Sequence, residues 1–238
     1  SVTLPRVTVF LGDPGFLDAG LPGLPGHGAN LGTGARLRAL AANPRWGGLD
    51  VLLPVTALRD RERLASTAAA VLPPERRGIG ALAFYPHQSA PELFADPTER
   101  VVVCVDPEDL PATRCVRDRF ARGPAPIATL THGLGHMGCH SALFRLVGLP
   151  PAPDSLLCLS LALRDAVADL YATFPGGPHP LPFDLDHVPN GVDADRFRPA
   201  DAARRAALRE RFGLPPGATV ALFQGRVTAH GKADLLPL

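Results

Sequence analysis

Within Thr131-His-Gly-Leu-Gly-His-Met-Gly-Cys-His140, four side chains can bind a metal or move a proton: His132, His136, Cys139 and His140. His132 and His136 stand i, i+4, a spacing that on a helix lets two imidazoles share one ion. A zinc hydrolase of that pattern also needs a glutamate directly after the first histidine, as general base. Gly133 occupies that place, and the surrounding glycines disfavour a helix. A metal-dependent hydrolase using His132–His140 is therefore the weaker alternative, and no residue is assigned as a metal ligand. A second candidate is the glycine-rich Gly26-His-Gly28-Ala-Asn-Leu-Gly32, where a bare backbone can approach phosphate oxygens. It is not a true G-x-G-x-x-G, and it lies well downstream of the first strand. A dinucleotide fingerprint sits directly at the strand–helix turn. A third candidate is cationic. Lys232 is the only lysine among 24 basic residues, and Arg226 lies six positions before it. On charge alone such a pair is most simply solvated on a loop. Neither a G-x-S-x-G elbow nor a Walker P-loop occurs.

These residues need elements to hold them. Short apolar, β-branched runs predict strands at Val7–Gly12, Asp50–Leu53, Ile79–Phe84, Val101–Val105, Ile127–Thr131 and Ser155–Leu159. Helical patterns alternate with them, around Ala35–Ala42 after a long Gly/Pro loop, and at Arg59–Val71. Pro73-Pro74 end the second, because proline cannot continue the ladder. Asp109 is placed to cap a helix through Phe120, with Pro111 in its first turn. Ser160 is placed to cap another running to about Phe174. Continuous apolar strands separated by helices predict an α/β fold, a Rossmann-like parallel sheet covered on both faces. Further on, Val188-Pro-Asn-Gly-Val-Asp193 reads as a strand end entering a tight turn around Asn190 and Gly191. Asp201 caps an Arg-rich helix, Ala202–Phe212, whose charges read as a solvated face; Gly213 and Pro215 stop it. Ala218–Gln224 predicts a last strand.

Composition bounds the reading. The chain has 238 residues and a formal net charge of +1, which argues against a dedicated nucleic-acid binder. Hydrophobic residues make up 46%, enough for a sizeable core and too many for wholesale disorder. No apolar run approaches the roughly 20 residues that a membrane-crossing helix needs. The start lacks the pattern of a signal peptide, and the missing initiator Met reads as a processed or excised chain. Cys104, Cys115, Cys139 and Cys158 form no CxxC and read as reduced core thiols of a cytoplasmic protein.

Val188-Pro-Asn-Gly-Val-Asp-Ala-Asp-Arg-Phe-Arg-Pro199 resembles the interdomain segment of family-four glycosyltransferases of the GT-B fold. In that family a helix ending like Leu208-Arg-Glu-Arg-Phe-Gly-Leu-Pro215 follows. Next comes a strand closing in Gly-Arg, here Val220-Ala-Leu-Phe-Gln-Gly-Arg226, with a lysine beyond it, here Lys232. Many members place these two cations one residue closer and follow the lysine with glycine, where this chain has Ala233. The family's paired donor-site glutamates would lie past Leu238.

The resemblance implies a retaining transferase moving a sugar from a nucleotide-sugar donor, of hexosyltransferase type. It implies that Arg226 and Lys232 grip the donor diphosphate and stabilise it as it leaves, in place of a metal. Fixed cations aimed at developing negative charge lower such a barrier. It further implies His132 near sugar and acceptor, and Gly28 in a loop close to the donor phosphates. No cofactor is implied beyond the donor. The partners are a nucleotide sugar and a glycan, lipid or small-molecule acceptor, without nucleic acid; peripheral membrane contact stays open. Residues 1–213 would form the acceptor-side domain and linker, and 214–238 the first strand and phosphate loop of an incomplete donor-binding domain. The competing class is a non-catalytic ligand-binding α/β module.

Overall fold

The computed structural model describes residues 4–12, 28–78, 80–135, 137–192, 194 and 197–222, with backbone only for 28–31. Among these, seven strands form one sheet: β1 (Arg6–Phe10), β2 (Gly48–Leu53), β3 (Leu82–Pro86), β4 (Arg100–Cys104), β5 (Ile127–Thr131), β6 (Ser155–Cys158) and β7 (Asp184–His187). The order is β3-β2-β1-β4-β5-β6-β7, and every neighbouring pair is parallel. Parallel neighbours need crossovers, and helices supply them. They are α1 (Gly28–Ala42), α2 (Arg61–Val71), α3 (Ala90–Ala95), α4 (Leu110–Phe120), α5 (Met137–Phe144) and α6 (Leu161–Thr173); α7 (Ala202–Arg211) lies beyond the sheet in sequence.

Side chains alternate across each strand, and two separate cores follow from that alternation. Val7 and Val9 of β1, with Leu49, Val51 and Leu53 of β2, pack against Leu37 and Ala41 of α1 and Val71 of α2. On the other face Leu52, Val102, Cys104, Ile127, Leu156 and Cys158 meet Phe94, Leu110, Leu143, Val167 and Tyr171 from α3 to α6. The expected Rossmann-like sheet with helices on both faces is the observed fold.

Polar anchors tie the amino-terminal ends of the strands. Asp50 is buried and takes Arg6 through Nε at 2.9 Å and Nη2 at 2.6 Å, and Arg100 Nη1 at 3.2 Å. Arg100 also donates to Thr8 Oγ1 at 3.1 Å. Before β6, buried Asp154 pairs with Arg117 of α4 and accepts the Ile127 backbone N–H at 3.0 Å.

Several local expectations change. The helix expected around Ala35–Ala42 begins at Gly28, so Gly32 and Gly34 lie inside it. Thr33 and Gly34 are buried, so tertiary packing holds this part of the helix and outweighs the poor helix propensity of glycine. The stretch after His132 does form a helix, α5, despite Gly138, because Cys139, Ala142 and Leu143 are buried by tertiary packing. Asp109 precedes α4 but makes no side-chain cap; its backbone is already helical rather than extended, which points the carboxylate away from the helix N–H groups. The strand expected at Ile79–Phe84 starts later, at Leu82, and runs to Pro86. Ser160 accepts from Leu163 N at 3.1 Å and Asp201 from Arg204 N at 2.8 Å, as capping chemistry requires.

The chain divides into two compact units, Ser1–Asn190 and Gly191–Leu238. In the second, α7 carries no buried residue and ends at Arg211; Gly213, two residues on, has a φ of +63° that suits glycine. The strand expected at Ala218–Gln224 shows no ladder over Ala218–Leu222. A strand forms only by pairing, and among the described residues nothing pairs with this segment. Phe223 and Gln224, which complete that expected strand, lie outside the described residues. Among the described residues no helix is long and apolar enough to cross a membrane.

Candidate functional site

Chain order reverses between β1 and β4, with helices α1 and α2 on one face and α3 to α6 on the other. Loops leaving the carboxyl ends of two such strands diverge, and the crevice between them is where open α/β sheets bind ligands. Leu11 and Gly12 leave β1 there. The Leu11 carbonyl accepts from His87 Nε2 at 3.1 Å. A Cβ on Gly12 would lie 3.5 Å from the Asp109 carboxylate, so β1 and the loop after β4 come close at this point. Burial raises the Asp109 pKa above the ordinary carboxylate value; the negative charges of Asp106 and Glu108 add to this, and His87 opposes it.

His132 follows β5 directly and is exposed. Its Nε2 lies 3.2 Å from Arg36 Nη1, on α1. The same guanidinium donates through Nη2 to Asn190 Oδ1 at 3.2 Å. Asn190 lies just past β7, so α1 and the segments leaving β5 and β7 each contribute one side chain to a single cluster. Burial pulls the Arg36 guanidinium below the usual arginine value. Ser160, after β6, is used as a helix cap.

The histidine-rich cluster does not assemble around one ion among the described residues. His132 meets a cationic guanidinium, and His140 Nε2 is 2.6 Å from the Leu134 carbonyl. α5 begins at Met137, which leaves His132 in the loop before it; His136 lies outside the described residues. Asp106, Glu108 and Cys139 do come together, with potential ligand atoms within 4.8 Å of one another. Burial, then the charges of Asp106 and Glu108, push the Cys139 thiol up to about 11. A thiol attacks as its thiolate, so Cys139 by itself is a poor nucleophile at neutral pH.

The cysteines give a direct test of this packing. Cys104, Cys139 and Cys158 are buried and Cys115 is exposed, so three of the four are core thiols and one is not. Burial pushes Cys104 up to about 12 and Cys158 up to about 11. With Ellman's reagent at mildly alkaline pH, one thiol per native chain is expected to react quickly and the rest only in denaturant. Two or more fast thiols would contradict the packing.

Of the residues singled out from sequence, His132 and Asn190 are brought together, through Arg36. Gly28 is the first residue of α1 rather than a loop residue. Arg226 and Lys232 lie outside the described residues. Arg36 itself carries no sequence signal: Ala35-Arg-Leu-Arg38 reads as an ordinary helix with a solvated cation. A cavity of about 340 Å³ lies at the opposite end of the sheet, lined by Arg114, Arg117, Pro150 and Pro153. Its polar groups serve the Asp154 pairing described above.

A doubly covered parallel sheet of this order is a Rossmann-like domain, matching the N-terminal domain of the GT-B type. The chain shares partial similarity with glycosyltransferases. It is 40% identical over 95 residues to D-inositol 3-phosphate glycosyltransferase 2 of Catenulispora acidiphila, covering 39% of this chain and 20% of the relative. It is 39% identical over 85 residues to D-inositol 3-phosphate glycosyltransferase of Kineococcus radiotolerans, covering 36% and 18%. A shorter stretch of 46 residues is 52% identical to the enzyme of that name from Streptomyces bingchenggensis, covering 19% and 10%. The chain thus spans a fifth or less of the length of these relatives. No family model matches it, and no solved structure does.

Proposed function

We propose that this chain supplies the acceptor-side part of a retaining, family-four hexosyltransferase. Residues 1–213 form the acceptor-side domain and linker, and 214–238 open the donor-binding domain. In the reaction the bond from the sugar's anomeric carbon to the donor diphosphate breaks, and a bond to an acceptor hydroxyl oxygen forms on the same face. The hydroxyl proton leaves with the diphosphate. Arg226 and Lys232 take up the charge of the leaving group, Arg through a bidentate fork and Lys as a point charge. Gly28, at the start of α1, serves the phosphate side of the cleft, and His132, after β5, the sugar and acceptor side.

The observation that supports this reading best is the similarity to glycosyltransferases over 95 residues. The cluster at the carboxyl ends of the strands adds support, because polar side chains converge where such sheets take ligands. The relatives' name makes D-inositol 3-phosphate the first acceptor to try. The test is a transfer assay on the protein carrying this chain, with a panel of nucleotide-hexose donors and that acceptor, run with and without EDTA. Transfer that persists in EDTA is expected, because cationic side chains replace a metal here. Absence of both transfer and nucleoside-diphosphate binding by calorimetry overturns the reading. Diphosphate or acceptor binding without transfer favours the binding module instead.

A further inference from the structure

We propose that Arg36 is a positioning residue, holding His132 as a neutral imidazole whose only ring proton is on Nδ1. A guanidinium has five N–H donors and no acceptor. The 3.2 Å approach of Arg36 Nη1 to His132 Nε2 is therefore a hydrogen bond only if Nε2 carries a bare lone pair. The same reasoning fixes Asn190, whose Oδ1 and not its amide nitrogen must face Nη2. A doubly protonated His132 would set a second cation against a half-buried guanidinium. Among the described residues Arg36 bonds to no carboxylate that could offset that charge; its side-chain partners there are His132 and Asn190.

The assignment has a chemical consequence, which rests on the transferase reading. In water the Nε2–H tautomer of histidine is the commoner one, so Arg36 selects the other. With Nε2 occupied by Arg36, His132 is not a base through that atom. The ring's one proton then sits on Nδ1, which donates to an acceptor and cannot take a proton up. In the cleft His132 then orients rather than removes a proton, and the charge of the leaving group falls to Arg226 and Lys232. Arg36 fixes this from α1, far from His132 in sequence.

The test is a long-range proton–nitrogen correlation spectrum of the histidine-labelled chain at neutral pH, with His132 assigned by its loss in His132→Gln. The expected signature has Nε2 at the unprotonated position and Nδ1 at the protonated one. Arg36→Gln keeps one amide donor and is expected to keep that signature. Arg36→Leu is expected to shift it toward the Nε2–H form. A His132 ring with Nε2 protonated in the unaltered chain overturns the proposal, and so does an unchanged signature in folded Arg36→Leu. If Arg36→Leu does not fold, the unaltered chain and Arg36→Gln still decide. The spectrum needs neither donor nor acceptor, so failed transfer leaves this assignment standing, and a reversed tautomer leaves the transferase reading standing.

Discussion

Replacing Asp154 by alanine is expected to destabilise the folded chain by about 3–5 kcal/mol, the range for removing one partner of a buried ion pair. Asp154 is 1% exposed. It pairs with Arg117 through both carboxylate oxygens and accepts the Ile127 backbone N–H, which opens β5. Its Oδ2 also lies 3.9 Å from Arg114 Nε, itself buried. The alanine would leave the Arg117 charge without its buried partner and a backbone donor unmade at the start of a central strand. Both errors are costly because both groups are buried. Asp118 offers the control. It pairs with the same Arg117 but is 54% exposed, so Asp118→Ala is expected to cost about 1 kcal/mol or less. Urea denaturation with unchanged slope reads both. Equal midpoints for the two variants would mean that the Asp154 network does not anchor the sheet.

Arg226→Ala or Lys232→Ala, made in the protein carrying this chain, is expected to lower turnover by about 10²-fold or more. That is the scale for removing one preorganised group that stabilises developing negative charge. The loss should fall on kcat as well as on donor binding, because the diphosphate carries most charge as the sugar departs. Near-unchanged turnover in both variants would refute their assignment. The motivating pattern is the Gly-Arg order after an apolar run, with the chain's only lysine close behind.

Much of the fold was legible because its signals are local. Ile127–Thr131 is an apolar, β-branched run and is a strand with those bounds. Ser160 and Asp201 cap helices because capping needs only a short polar side chain and an extended backbone at one residue. What was missed depends on distant neighbours. α5 contains a glycine and forms because Leu143 and Cys139 have a core to enter. β7, Asp184-Leu-Asp-His187, has only one apolar residue and forms because β6 offers it a ladder. The candidate site divides the same way. His132 announced itself by following a strand, whereas Arg36 acquires meaning only when folding brings α1 beside the ends of β5 and β7.

β7 has a further consequence. An open sheet ends in rows of unpaired backbone groups, which invite a strand from another molecule. Among the described residues β7 is one such margin, and Asp184, Asp186 and His187 on it are exposed. A foreign strand adding there would have to strip water from two carboxylates. At the opposite margin β3 finishes in Pro86, which has no N–H to offer an incoming partner. The polarity that hid β7 from a hydrophobicity reading thus guards the sheet against growing by self-association.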